Sequence, residues 1–231
     1  MFNEENMRVS SQPMARGFMT QVFAWMFAGL GLSAATSYFF SLEVNPALFQ
    51  LAQRSVFLLL IAQIGIVFYY SFSWKSLSFQ MSGLLFITYS LLTGVIFSPL
   101  LHIYTTASLL QVLAVTAVTF GVMAVYGWVT NFDLSQLHSL LFMALVGVVV
   151  SMLANTFFFQ SDSVSLVISF IGVLLFTVLI AYHVQQLKHI SHMHVESSEM
   201  RAKLALMGAL QLYLAVINLF LFLLRILGRR R

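Results

Sequence analysis

Few side chains in this sequence could do chemistry at membrane depth, and they gather late in the chain. His183 lies in "IAYHVQQLKH" (180–189), directly after the apolar run "SLVISFIGVLLFTVL". An imidazole there could act as a proton switch, because an unperturbed histidine titrates near pH ~6.5. The alternative, favoured on the residues alone, is an interfacial, hydrogen-bonded histidine with no transport role. Further on, Gln211, Ala215, Asn218, Phe222 and Arg225 are spaced 4, 3, 4 and 3, which puts them on one helix face. Gln211 and Asn218 would point into a bundle, as interhelical hydrogen-bonders or as a polar path. Arg225 would snorkel to the headgroups. Gln63 and Asn155 read as further interhelical hydrogen-bonders, and His102 as interfacial. His189, His192 and His194 in "HISHMH" offer imidazoles of the kind zinc, copper and nickel accept. They have no cysteine beside them and read as solvated, so no metal site is expected. The seven carboxylates, Glu4, Glu5, Glu43, Asp133, Asp162, Glu196 and Glu199, all fall outside the apolar runs.

Enzyme chemistry finds no support in the motifs. The chain has no cysteine. It lacks the H-E-x-x-H zinc motif and the G-x-S-x-G nucleophile elbow, and "GLGLS" (29–33) has glycines at the wrong spacing. A retinal Schiff base would need a lysine in the last helix, but Lys203 precedes it. The expectation is a non-enzyme without a cofactor.

The elements that would position these residues are membrane helices. Of the 231 residues, 60% are hydrophobic and only 8% charged, with a mean hydropathy of +0.94. A soluble domain carries roughly a quarter charged residues, so the expected class is all-α and polytopic, with the lipid bilayer as partner. A span needs roughly 20 apolar residues. Seven segments qualify: 19–40, 55–72, 81–100, 107–129, 137–157, 163–182 and 204–227. Their length and lack of alternation argue against a barrel. Pro99 should kink or stop the third segment. The organisation expected is a polar N-terminal cytoplasmic tail (1–18) without a cleavable signal, a seven-helix domain (19–228) and a basic tail (229–231). The formal net charge of +4 reflects orientation rather than nucleic-acid binding. With the N-terminus in the cytoplasm, inner segments hold Arg8, Arg16, Lys75, Lys188, Arg201 and Lys203. Outer loops hold Arg54 until Arg229, Arg230 and Arg231, which stand against the rule. The side of the C-terminus is left open.

The sequence also resembles a known family. "GALQLYLAVINLFLFLLRILGRRR" (208–231) is similar to the last helix of the Bax inhibitor-1 family, also called the transmembrane Bax-inhibitor-motif family. "FMTQVFAWMFAGLGLSA" resembles its first helix and "TYSLLTGVIFSPLLHIYT" its third. "TFGVMAVYGWVTNFDLSQLHSLLFMALVGVVVSMLANTFF" resembles its fourth and fifth, and "GVLLFTVLIAYHVQQLK" its sixth. The short tail and the "LLRILGRRR" ending point to the bacterial branch. The resemblance implies seven helices with the last one central and enclosed by the other six, in a bacterial-type inner membrane. It implies a pH-sensitive calcium leak, sensed by two aspartates at the end of the sixth helix and in the seventh. The matching positions here are His183 and Ala215. Two close carboxylates can share a proton and offer oxygens to calcium, and this pair of residues can do neither. The expected function is therefore a calcium or other cation leak with its proton-sensing pair altered. The alternative is a non-conducting interaction module for a membrane protease or stress-response partner, with 1–18 and 183–203 as its contact surfaces.

Overall fold

A computed structural model describes residues 4–74, 76–193 and 197–231, with side chains from Gly17 onward. The helices are α1 (Glu4–Phe39), α2 (Pro46–Ser73), α3 (Phe79–Phe97), the short α4 (Leu100–Ile103), α5 (Thr106–Val129), α6 (His138–Ala154), α7 (Asp162–His192) and α8 (Ser198–Leu227). A 3₁₀ turn (Leu134–Leu137) leads into α6, and a π turn (Asn155–Phe159) ends it. Among the described residues, seven helices are long and apolar enough to cross a membrane, α4 extending the third. A helix satisfies its own backbone groups, which hydrocarbon cannot do. All seven expected spans are present, and the class is all-α and membrane-spanning.

The ends differ from the expected ones where polar residues continue a helix. The first helix starts at Glu4, so the described part of the expected 1–18 tail is helix continuous with the span. Phe18, at its end, is buried beneath the Arg201 guanidinium, 6.0 Å from the ring centroid. Asn45–Pro46 starts α2 nine residues before the apolar run, with proline in the first turn, where its missing N–H costs nothing. Pro99 does stop the third helix, as the first residue before α4. Ser197 Oγ accepts from Met200 N at 3.0 Å and starts α8 six residues early. The segment 183–203, expected as a loop, is helix up to His192.

The chain forms two compact units. The first comprises residues 1–105, 191–213 and 230–231, and the second 106–190 and 214–229. α8 thus contributes its first half to one and its second half to the other. It is also the most buried span, with Leu206, Ala209, Leu212, Tyr213 and Leu219 fully inside, the burial expected of an enclosed helix. By contrast α2 buries only Ala52 and Tyr70 and presents Phe57, Leu58, Ile64, Phe68 and Phe72 outward. In a membrane chain that apolar exposure faces lipid.

Close approach is written into the glycines of both units. In the first unit, a Cβ on Gly94 of α3 would lie 2.5 Å from the Ser33 carbonyl oxygen of α1. In the second unit, a Cβ on Gly127 of α5 would strike the Ala181 carbonyl of α7, and one on Gly172 would lie 2.6 Å from the Phe222 ring of α8. Small residues let neighbouring membrane helices approach closely.

Candidate functional site

His183 sits in the second unit, 21 residues into α7. That is about 32 Å along the helix at ~1.5 Å per residue, close to the ~30 Å of a hydrocarbon core. α7 as a whole, at 31 residues, is longer than the bilayer needs, and its surplus is the polar end Gln185–His192. These residues hold the connection between α5 and α6. The buried Gln185 works as a two-pronged clamp: Nε2 donates to Phe132 O and Oε1 accepts from Leu134 N, both at 2.8 Å. Lys188 Nζ donates to Trp128 O, near the C-terminal end of α5, at 2.6 Å and lies 5.7 Å from the Trp128 ring centroid. A cation at a helix C-terminus also meets the negative end of the helix dipole.

The histidine has a different setting. His138, at the start of α6, places Nδ1 3.0 Å from Tyr182 OH, and their rings stack at 5.9 Å. The edge of Tyr182 meets His183, with centroids 5.4 Å apart. His183 Nδ1 is buried and has no hydrogen-bond partner. The histidine bonds Gln186 of its own helix, and its Nδ1 is left unsatisfied. A buried polar atom in that state costs about 1–3 kcal/mol. Ala215, the second matched position, is buried on α8 with only a methyl to offer. Asp133, in the loop below, caps the 3₁₀ turn, its carboxylate accepting from Ser135 N at 3.0 Å. Hydrogen bonds from the Ser135 hydroxyl and backbone hold its pKa below the usual carboxylate value, and His189 lowers it further.

The other candidates are spread over both units. Asn218 Nδ2 donates to Leu214 O of its own helix at 2.8 Å. Gln211 is half-buried and Arg225 is exposed near the end of α8. Gln63 and Asn155 make the expected interhelical bonds. Gln63 Nε2 donates to Thr93 Oγ1 at 2.8 Å, and Asn155 Nδ2 donates to Ser165 Oγ at 2.6 Å and Ser161 O at 3.1 Å. His102 is exposed. His194 lies outside the described residues, and among those described no three His, Asp or Glu side chains gather to hold a metal.

The first unit contains a polar cluster that the sequence reading did not find. Ser33 Oγ lies 2.9 Å from Gly29 O, 2.8 Å from Ser90 O and 2.7 Å from Tyr213 OH. Ser33 has one proton, and the carbonyls can only accept. The phenol of Tyr213 therefore donates to Ser33. Ser90 and Thr93 spend their own protons on Phe86 O and Tyr89 O, each at 2.9 Å. The result ties α1, α3 and the first half of α8 together, with Tyr213 wholly buried between the ring edges of Phe86 and Tyr89. The signal was present: Gly29 and Ser33, and Ser90 and Gly94, are two small-x-x-x-small pairs.

Comparison with known proteins agrees with this architecture. The family model described as "Inhibitor of apoptosis-promoting Bax1" matches residues 15–231. The chain is 41% identical over 228 residues to the "Inner membrane protein YbhL" of Escherichia coli K12, covering 95% of each chain. It is 42% identical over 211 residues to an uncharacterized protein of Deinococcus radiodurans, covering 91% of this chain and 90% of that one. A Borreliella burgdorferi protein is 38% identical over 215 residues, covering 93% and 92%.

Proposed function

The chain belongs to the Bax inhibitor-1 family, and from that premise we propose that it is an inner-membrane cation leak protein, permeable to calcium or a related cation, whose proton-sensing pair has been replaced. Its location is taken from the E. coli relative, which is named an inner membrane protein. The N-terminus is assigned to the cytoplasm from the arginine and lysine distribution.

One observation carries the reading. The positions that resemble the family's aspartate pair hold an imidazole with a buried, unpartnered Nδ1 and a buried methyl. Calcium is a hard cation that takes oxygen ligands. Neither side chain supplies an oxygen, and a protonated imidazole repels a cation. Conduction through this chain then proceeds without the aspartate gate. Calcium flux into proteoliposomes at several pH values tests this, with wild type beside His183→Ala and the double change His183→Asp, Ala215→Asp. Wild-type flux should be flat in pH, and an acid-dependent component should appear only in the double change. A steep acidic dependence in wild type that survives His183→Ala would overturn the reading.

A second reading has its own support. Every described carboxylate sits in a loop or the first turn of a helix (Glu43, Asp133, Asp162 and Glu199), which suits a non-conducting module that modulates a membrane protease or stress-response partner. Its contact surface in 183–203 includes the exposed Gln186, His189, His192 and Met193, whereas Val184, Gln185 and Leu187 are buried. Crosslinking from those four positions in native membranes should capture a discrete partner, and repeated failure to do so counts against this reading.

A further inference from the structure

The end of α8 carries cations that no described side chain neutralises. The helix stops at Leu227, which is half exposed. Gly228 N still bonds back to Leu224 O at 2.9 Å. Arg229 N then donates to Ser108 Oγ at 2.8 Å, and Ser108 itself is buried at the start of α5. The backbone that presents Arg229 is therefore fixed, not free as an ordinary terminal residue would be. Arg225 and Arg229, four residues apart, are both exposed. Within this second unit the carboxylates are Asp133 and Asp162, and neither forms an ion pair with them. The contrast lies two residues on. In the first unit, Arg231 Nη1 is 3.1 Å from Glu43 Oε1, and its backbone N donates to Ile103 O at 2.9 Å. Among the described residues, Arg231 has a counter-ion, and Arg225 and Arg229 have none.

By length and composition the last span ends at Leu227, so these two arginines fall where a spanning helix meets the headgroups, whichever way the chain is oriented. We propose that Arg225 and Arg229 form a binding site for the phosphate of an anionic phospholipid, with the acyl chains lying along the exposed apolar surface around Leu227. Arginine suits this role because its planar fork bonds phosphate oxygens in pairs. The prepositioned backbone of Arg229 reduces the ordering cost of binding. Simple snorkelling would accept the phosphate of any phospholipid. This site distinguishes an anionic lipid from a zwitterionic one, because an adjacent ammonium or choline group would meet two uncompensated cations.

The experiment is a lipid titration of the full-length protein in a mild non-ionic detergent, read by thermal stability and by native mass spectrometry of bound lipid. Phosphatidylglycerol is compared with phosphatidylcholine of the same acyl chains. Wild type should retain phosphatidylglycerol preferentially and be stabilised by it. Each arginine should contribute about fivefold in lipid partition, from ~1 kcal/mol per basic residue near an anionic headgroup. Arg225→Gln with Arg229→Gln should remove the preference, the Lys pair should retain much of it, and Arg54→Gln, which changes an exposed arginine on α2, should leave it intact. Equal response of wild type to the two lipids overturns the proposal without reference to any variant. A preference that survives the double glutamine change overturns it as well.

Discussion

The crossing of α1 and α3 makes a sharp prediction at Gly94. An alanine there puts a methyl 2.5 Å from Ser33 O, 2.6 Å from Thr36 Cβ and 3.1 Å from Ser37 N. Ordinary carbon contacts lie at about 3.5–4.0 Å, so the two helices must separate by roughly 1 Å. Two of the three obstacles are backbone atoms and cannot swing aside. Overpacking of this kind costs about 1–3 kcal/mol. The separation also stretches the 2.8 Å contact between Ser33 Oγ and Ser90 O, which in a membrane is worth about 0.6–1 kcal/mol. Against this, alanine is the better helix former by about 0.5–1 kcal/mol. The net expectation for Gly94→Ala is a loss of about 2 kcal/mol. Gly31→Ala, on the same α1, meets nothing within 4 Å and should show only the helix gain. Equilibrium unfolding of the purified protein in mixed micelles separates the two, because the changes should move stability in opposite directions. Equal stability of Gly94→Ala and Gly31→Ala would refute the proposed backbone contact.

Other perturbations test the polar ties. Tyr213→Phe removes the phenol bond to Ser33 and should cost about 1 kcal/mol, with a smaller effect expected once Ser33 is already alanine, because Ser90 and Thr93 also reach the phenol; a full second loss in the double variant would place the tyrosine's contribution at those two hydroxyls. Gln185→Leu should free the 130–137 connection, seen as faster amide exchange at Leu134, while the spans keep their protection. Asp133 has a lowered pKa in the folded state, so the stability it adds to the 3₁₀ cap is present above the usual carboxylate pKa and lost as pH falls through the folded value; Asp133→Asn should flatten that acid response in local exchange of residues 133–137. His183→Leu should stay near wild-type stability, because it removes an unsatisfied buried nitrogen along with the bond to Gln186 on the same helix, and a loss above about 2 kcal/mol would mean that the Gln186 bond outweighs the unsatisfied nitrogen.

The seven spans were legible because hydropathy reports what lipid tolerates. Their ends were less so, because hydropathy does not report helicity: α7 runs ten residues beyond its apolar stretch through Gln185, Gln186, Lys188 and His189, residues that remain good helix formers when solvated. Asn45-Pro46 at the start of α2 and Ser197-Ser198-Glu199 at the start of α8 were readable start signals that the apolar criterion passed over. Gln63 and Asn155 were recognisable because an amide inside an apolar run needs a partner. Ser33, Ser90 and Thr93 were not, since a hydroxyl can always return its proton to a carbonyl one turn back, and sequence alone cannot show whether its lone pairs are also used. In "GLGLS", unpromising as a nucleophile turn, Gly29 and Ser33 form the small face on which α3 packs.

The same distinction bears on His183. Its neighbours on α7 have assigned duties: Tyr182 faces His138, Gln185 clamps Phe132 and Leu134, and Lys188 takes Trp128 O. Each fastens the α5–α6 connection, and losing any one leaves a carbonyl, amide or hydroxyl without its partner. His183 Nδ1 fastens nothing. The His183 side chain bonds Gln186 of its own helix and none of Phe132, Leu134 or Trp128, so changing it removes no tie to the connection beside it. Substitutions at 183 therefore separate chemistry from folding in a way that substitutions at 182, 185 or 188 do not, because a change in flux at those sites would be confounded with movement of the loop. The burial of Ala215 sets the opposite constraint on the second position. Any carboxylate introduced there must find its space and its hydrogen-bond donors inside the packed protein, so the double aspartate change should be assessed for stability before its flux is interpreted, and His183→Asp alone should be the better tolerated of the two halves.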